Sequence, residues 1–147
     1  MRRQFEFAVV VIVIAVLAVL AMQALQRARG EVEEASVQAE AASIRAQLME
    51  RLAHHATFGG PLPASDNPVD WIRLVPNNYR GALDRLPAER RIWYYDTAGQ
   101  ELVYAFNDGH LARFRLSRTA GSSGVRGVIG GVGLLRLDAS NAFIQLV

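Results

Sequence analysis

A single carboxylate stands at the entrance of the most apolar segment of this chain. Glu6 is followed by residues 7–25, which contain no charged side chain and one polar side chain, Gln23. Ionisable groups beside such segments are costly unless they are paired, and they often serve a function. Two interpretations of Glu6 remain open. It attracts a cationic group of a neighbouring molecule, or it reaches water from the first turn of a helix, where the helix dipole favours a negative charge.

Other residue types that support catalysis or metal binding occur without the spacing that such chemistry needs. His54 and His55 are adjacent, so on a helix their side chains point about 100° apart and do not chelate one metal ion well. The chain contains no cysteine, which excludes disulfides and thiolate metal sites. The glycine-rich residues 124–133 lack the Lys-Ser/Thr of a phosphate-binding loop, and Ser122 lies in no motif that supplies a base. The sequence therefore predicts no enzymatic activity, no cofactor and no metal site.

Five of the six aromatic residues within residues 71–104 form one candidate set. They could form a platform for a ligand, but aromatic side chains at hairpin spacing pack more often against one another in a core. We expect core packing for this set, which comprises Trp71, Trp93, Tyr94, Tyr95 and Tyr104.

Residues 7–25 have the length and composition of a membrane-spanning helix. At about 1.5 Å per residue they extend roughly 28 Å, close to the roughly 30 Å hydrocarbon core of a bilayer. The alternative is a cleavable secretory signal, whose apolar region is shorter and ends at a small-residue cleavage site. The nearest approximation to such a site here is Val19-Leu20-Ala21. We therefore expect a retained anchor in contact with membrane lipid.

The flanks of the apolar segment favour one orientation. Arg2 and Arg3 precede it, and Arg27 and Arg29 follow it directly before a cluster of glutamates. The positive-inside rule gives glutamate little weight, so the difference in charge is small and the large C-terminal part decides. The short N-terminal tail is expected in the cytoplasm. The predicted organisation is a tail and transmembrane helix over residues 1–29 and one extracytoplasmic domain over residues 30–147.

Helix-forming residues continue past the apolar segment. Between residues 26 and 56 there is no proline and one glycine, Gly30, which marks the expected bend. Apolar residues recur there at alternating spacings of four and three, the pattern of an amphipathic helix. We predict one continuous helix over residues 5–55, transmembrane in its first half and amphipathic in its second. The apolar stripe consists of Val37, Ala41, Ile44, Leu48 and Leu52.

A small antiparallel sheet is predicted after the helix, which makes the fold class α+β with the long helix packed on the sheet. Gly59, Gly60 and Pro61 end the helix. Residues 61–90 are predicted to be an irregular connection with a helical turn that buries Trp71. Alternating, β-prone residues then predict a three-stranded meander. The predicted strands are 92–96, 101–106 and 110–116, followed by a loop at 119–127 and two edge strands at 128–137 and 142–147.

The charge balance argues against nucleic acid as a partner. The net charge is +2, and the 16 basic residues, all arginine, are scattered singly rather than arranged along one face. Nucleic-acid-binding domains concentrate their basic residues in a patch or stripe.

Three sets of residues resemble the type IV pilin family, including the pseudopilins of type II secretion. The first is Phe5-Glu6 followed by an apolar helix, and the second is the helix without breakers to about residue 56. The third set is similar to pilin-like proteins of mannose-sensitive-haemagglutinin-type systems. It consists of Asn67-Pro68 with Trp71, Tyr79-Arg80-Gly81, and Trp93-Tyr94-Tyr95-Asp96 with Leu102-Val103-Tyr104.

The resemblance implies a pilin-like protein of the bacterial inner membrane with a periplasmic domain. Such a protein is a minor subunit or assembly component of a pilus or pseudopilus, and its partners are other pilin-like subunits and inner-membrane assembly proteins. Glu6 would then meet the N-terminal amine of a neighbouring subunit. Small residues allow close packing of helices in lipid, so Ala8, Ala15 and Ala18 are candidates for a subunit-association face.

The alternative is a membrane-anchored extracytoplasmic binding or scaffold module that does not enter a filament. Family members carry a basic leader that ends in glycine, with glutamate fifth in the mature chain. No glycine precedes Glu6 here, and this departure keeps the alternative open.

We predict that a reporter fused after Val147 is active only if it works outside the cytoplasm. The reason is the placement of Arg2 and Arg3 before the apolar segment and of the large polar part after it. Alkaline phosphatase and green fluorescent protein fusions measure this directly. Cytoplasmic activity of the fusion would overturn the orientation, and a free soluble domain that begins near residue 22 would demonstrate cleavage.

Overall fold

The structure, a computed structural model, describes residues 1–118 and 132–137. The loop predicted at 119–127, the strand predicted at 142–147 and the first part of the strand predicted at 128–137 lie outside these residues. The chain divides into two compact units, Met1–Ser36 and Val37–Val147.

One α-helix, α1, spans Arg2–Phe58, so the predicted continuous helix is confirmed and is slightly longer at both ends. It continues through Gly30, because the strong helix formers around that position offset the cost of about 1 kcal/mol for one glycine. The Gly59 N–H donates to the His55 carbonyl at 2.8 Å. Gly59 itself has a φ of +71°, the left-handed conformation that ends many helices.

The first unit consists of exposed helix with an apolar surface. Ile12 and Leu17 are 62% and 59% exposed, and residues 1–32 are all exposed. In water this surface would be strongly unfavourable, whereas the hydrocarbon core of a bilayer accommodates it. Within the described residues, α1 is the one helix that is long and apolar enough to cross a membrane. This agrees with the predicted single pass.

The second unit contains a five-stranded sheet with the order β1-β2-β3-β4-β5. Strands β2 to β5 pair in antiparallel fashion, which confirms the predicted meander, but β1 pairs with β2 in parallel. The sheet is therefore mixed, and the prediction of an antiparallel sheet is wrong at its first strand. The strands are β1 Tyr79–Leu83, β2 Ile92–Asp96, β3 Glu101–Ala105, β4 Leu111–Ser117 and β5 Gly133–Arg136.

Strand β1 lies within residues 61–90, where an irregular connection is predicted. Pro76, Asn78 and Gly81 are turn formers, and they hide the pattern of a strand. The register with β2 shifts between Tyr79 and Ala82, and Gly81 has a φ of +89° at this shift. Glycine adopts this backbone without steric cost. A short strand with such an irregularity shows no alternation in its sequence.

A short 3-10 helix, Pro68–Trp71, precedes β1. The sequence predicts a helical turn close to this position, and the burial of Trp71 is confirmed at 4% exposure. The Asn67 side chain caps the turn by accepting a hydrogen bond from the Val69 N–H at 3.1 Å. Pro68 occupies the first turn, where its missing N–H costs nothing.

The apolar stripe of α1 packs against one face of the sheet. Val37, Ala41, Ile44 and Leu48 are buried, and Leu52 is partly buried, so the predicted stripe is confirmed. The ring centroids of Trp93 lie 5.1 Å from Tyr104 and 5.5 Å from Phe114. The sheet residues in this core are Trp93, Leu102, Tyr104, Phe106, Ala112, Phe114, Leu116, Val132 and Leu134.

The opposite face of the sheet carries a smaller apolar cluster. Its buried members are Ile92, Tyr94, Val103 and Ala105, and Leu111 is partly buried against them. The β3–β4 register shows no shift, so consecutive residues of β4 point alternately to the two faces.

We predict that Leu48→Asp destabilises the second unit by about 3 kcal/mol or more. Leu48 is 1% exposed, and the substitution places an unpaired charge among apolar side chains. Ala46→Asp is the matched control, because Ala46 is exposed on the same helix and a surface change of this kind shifts stability by about 0.5 kcal/mol or less. Denaturant unfolding of the full chain in detergent, followed by tryptophan fluorescence, measures both variants. Equal midpoints for the two variants would contradict burial of the stripe.

Candidate functional site

The association residues predicted on α1 divide between two sides of the helix. At about 100° per residue, Ala8, Ala15 and Ala18 fall within an arc of about 80°, whereas Glu6 lies about 160° from Ala8. All four residues are exposed. The helix therefore brings the three alanines together and places Glu6 on another side, so that one neighbouring helix does not contact both.

Glu40 forms a polar contact with the core of the second unit. Its Oε2 accepts a hydrogen bond from the indole N–H of Trp93, whose side chain is fully buried. A buried N–H without an acceptor carries a large desolvation cost. Glu40 therefore satisfies the one polar atom that Trp93 brings into the core.

Arg45 connects α1 to the last described strand. Its Nε donates to the Leu134 carbonyl at 3.1 Å. Burial lowers the pKa of the Arg45 guanidinium, and the positive charge of Arg136 lowers it further. This environment is unfavourable for the charge of Arg45, but its hydrogen bond to the Leu134 carbonyl attaches β5 to the helix.

Gln47 holds the segment that follows the 3-10 helix. Its Oε1 accepts hydrogen bonds from the N–H groups of Arg73 at 3.1 Å and Leu74 at 2.9 Å. Its Nε2 donates to the Leu74 carbonyl at 3.2 Å. Three hydrogen bonds from one amide fix the backbone of a segment that forms no helix or strand.

The Asn67-Pro68 motif and Tyr79 meet in the structure. The Asn67 Nδ2 donates to the Tyr79 hydroxyl at 3.0 Å, and the Asn67 backbone N–H donates to the Ser65 hydroxyl at 3.1 Å. Asn67 is 9% exposed, so these bonds satisfy a nearly buried amide. The motif serves to attach the 3-10 helix to the first strand.

Arg118 fastens the same connection from the end of β4. It donates to the carbonyls of Ala64 and Ser65, both at 2.8 Å, and pairs with Asp66 at 3.0 Å. Its guanidinium lies 5.7 Å from the ring centroid of Trp71, within the range of a cation–π interaction. The Trp71 indole N–H donates to the Ser65 carbonyl at 2.9 Å.

Three tyrosines of the sheet, Tyr79, Tyr94 and Tyr95, have a pKa raised above the ordinary value of a phenol. Burial raises the pKa of Tyr79, the hydrogen bond from Asn67 lowers it, and the charge of Asp70 raises it. Burial likewise raises the pKa of Tyr94 and Tyr95, with further increases from nearby aspartates. Because their pKa values are raised, these phenols stay protonated near neutral pH, where a general base must be deprotonated.

Glu101 is a buried carboxylate with two arginine partners. Its Oε2 accepts from Arg113 at 3.2 Å, and its Oε1 accepts from Arg115 at 2.7 Å. The carboxylate is 8% exposed, whereas the two guanidiniums are about half exposed. A buried charge needs such partners. Both carboxylate oxygens are engaged in this ion-pair network.

A hollow of about 80 Å³ lies between α1 and residues 71–73. His54 lines it, but a pocket for a cofactor or drug-sized ligand is usually about 300–1,000 Å³. Across residues 1–118 and 132–137, no group of three or more His, Cys, Asp or Glu side chains is placed to hold a metal ion.

Three polar helix residues have a larger role than their sequence positions indicate. Glu40, Arg45 and Gln47 fall mostly off the apolar stripe and would be assigned to a solvated face. Glu40 nevertheless follows Val37 by three residues and precedes Ile44 by four, so it borders the stripe. A carboxylate at that border, in a chain with two tryptophans, was the available signal for a buried hydrogen bond.

Comparison with protein-family models, with curated proteins and with solved structures gives no match for this chain.

We predict that Glu40→Ala destabilises the second unit by about 1–3 kcal/mol, because it leaves the buried Trp93 indole N–H without an acceptor. Glu40→Gln retains an oxygen acceptor and should recover most of that loss. Glu50→Ala serves as the control, since Glu50 is an exposed residue of the same helix. Denaturant unfolding measures stability, and the emission maximum of Trp93 reports its environment. Equal stability of the Ala variants at positions 40 and 50 would show that the bond contributes nothing.

Proposed function

We propose that this chain is a non-enzymatic, pilin-like membrane protein, a minor subunit or assembly component of a type IV pilus or type II secretion pseudopilus. Its N-terminus lies in the cytoplasm and its domain lies in the periplasm of a bacterium. Its partners are other pilin-like subunits and inner-membrane assembly proteins.

The observation that carries this proposal is the pair of roles within α1. The helix spans Arg2–Phe58, and its early residues expose an apolar surface suited to lipid. Its later residues bury the stripe from Val37 to Leu48 in the core of the second unit. A helix that is first a membrane anchor and then a core element of an α+β domain is the architecture that the resemblance implies.

The motif residues behind the resemblance also act together. Asn67 bonds to Tyr79, Tyr79 is opposite Trp93 in the β1–β2 register, and Gly81 occupies the register shift. The motif residues that carry the resemblance therefore form one connected part of the domain.

A structural role accounts for the ionisable groups that would otherwise suggest catalysis. Glu101 is engaged by two arginines, and burial raises the pKa of three sheet tyrosines. The groups named are used to build the domain, which favours association over chemistry as its task.

The alternative is a membrane-anchored binding or scaffold module outside any filament. Leu74 is 76% exposed on a backbone held by Gln47. An ordered, exposed aliphatic side chain would serve a binding module as well as a subunit.

We predict that Glu6→Gln lowers association with partner pilins while membrane insertion stays normal. The substitution keeps the size and hydrogen-bonding capacity of the side chain but removes its attraction for a cationic group. Glu6→Asp should give an intermediate result, because the charge remains on a shorter side chain. Co-purification from membranes measures association.

Asp84→Asn is the matched control, since it also removes one exposed carboxylate and lies in a loop of the second unit. If Glu6→Gln inserts and associates like the parent, Glu6 is an interfacial residue only. That outcome would favour the anchored-module alternative for the whole protein.

A further inference from the structure

An exposed aliphatic pair follows the 3-10 helix. Leu74 is 76% exposed and its neighbour Val75 is 41% exposed. Single apolar residues on a surface are ordinary, but adjacent exposed ones on a fixed backbone often mark an interaction site. The side-chain amide of Gln47 fixes this backbone, because it forms hydrogen bonds with both the N–H and the carbonyl of Leu74.

Arg73 precedes this pair directly in sequence. Arg51 and Arg73 both line the hollow of about 80 Å³, with Trp71 and Ile72 among the other residues there. Neither arginine side chain forms an ion pair with a carboxylate of residues 1–118 or 132–137, although Glu50 lines the same hollow. The hollow of Arg51 and Arg73 thus carries an excess of positive charge, whereas Leu74 and Val75 line a separate hollow together with Glu40.

Leu74, Val75, Arg51 and Arg73 are termed the loop surface here. Interfaces favour arginine beside a central apolar contact, with charged groups at the rim that select the partner. A complementary partner presents an aliphatic side chain flanked by carboxylates.

The chain itself carries a segment of this kind. Val32 is 69% exposed and stands between Glu31 and Glu33, with Glu34 next in sequence. Glu31 is exposed and forms no ion pair with an arginine of the described residues. These residues of α1, 31–34, are termed the acidic segment.

We infer that the loop surface of one copy binds the acidic segment of a second copy. Val32 packs against Leu74 and Val75, and the carboxylates face Arg51 and Arg73. This inference deepens the proposed function and rests on it, because it identifies how one subunit recognises the next. The two surfaces differ, so the contact closes only where two copies exchange it reciprocally or several copies form a ring; otherwise it propagates into an open row, the arrangement that a filament subunit needs.

Cysteine crosslinking of the full chain tests this contact directly, since the protein has no cysteine of its own. Val32→Cys and Leu74→Cys variants that carry tags of different size are purified in detergent, mixed and oxidised. Heterodimers should exceed the symmetric dimers of either variant alone. A chain with both substitutions should yield a ladder of dimers, trimers and larger species.

Charge reversal then tests the recognition. Arg51→Glu with Arg73→Glu should reduce the heterodimer about tenfold, because like charges then face one another. Glu31→Arg on the other variant should restore part of the yield. Arg85→Glu and Leu86→Cys are matched controls, because both residues are exposed in another loop. Arg85→Glu should leave the yield unchanged, and Leu86→Cys should give no heterodimer above background.

Several outcomes would overturn the inference. These are a heterodimer yield no higher than that with Leu86→Cys, a yield indifferent to charge reversal, or a predominance of symmetric dimers. The association that depends on Glu6 is measured on the same preparations. It distinguishes failure of this inference from failure of the proposed function. If it persists while the heterodimer is absent, the loop surface alone is wrong, and if both are absent the proposed function fails as well.

Discussion

The second unit depends on the burial of one stripe of α1 against one face of the sheet. Val37, Ala41, Ile44 and Leu48 are each at most 1% exposed, and each turns toward aromatic and aliphatic residues of β2 to β5. At about 25 cal/mol per Å² of apolar surface, such burial is the main stabilising contribution available to a small domain. Trp93, one of two tryptophans in this core, is also fully buried, so the helix must approach the sheet closely enough to enclose an indole.

Polar residues at the edges of the stripe determine where the helix sits. Burial is non-directional and would tolerate small displacements of the helix, whereas hydrogen bonds require defined distances and angles. Glu40 bonds to β2, Arg45 to the backbone of β5, and Gln47 to the segment after the 3-10 helix. The apolar stripe therefore supplies stability, and the three polar residues fix the position of the helix along the sheet.

The features that the sequence predicts well are those encoded by a repeating pattern. The stripe from Val37 to Leu52 and the meander at 92–116 follow periods that survive in a single sequence. Strand β1 does not, because Gly81 and the neighbouring turn formers interrupt its pattern and its partner is chosen by the parallel register with β2. The bonds of Glu40 and Gln47 join residues 53 and 27 positions apart, so the sequence does not identify their partners, although the position of Glu40 at the border of the stripe indicates a buried acceptor.

The membrane segment adds a constraint of its own to the proposed assembly. In lipid, apolar surface gives no drive for helices to associate, so packing depends on small residues and on polar or charged contacts. Glu6 and the face of Ala8, Ala15 and Ala18 are separated by about 160° around α1. A helix that associates through both would have two different neighbours. One would be bound by charge attraction at Glu6 and the other by close packing against the alanines. The proposed contact between the loop surface and the acidic segment also joins two different surfaces. Each copy contributes its loop surface to one neighbour and its acidic segment to another. Contacts between unlike surfaces that do not close into a ring or a reciprocal dimer leave an unfilled site at each end of the assembly, and this is the geometry that growth by addition of subunits requires.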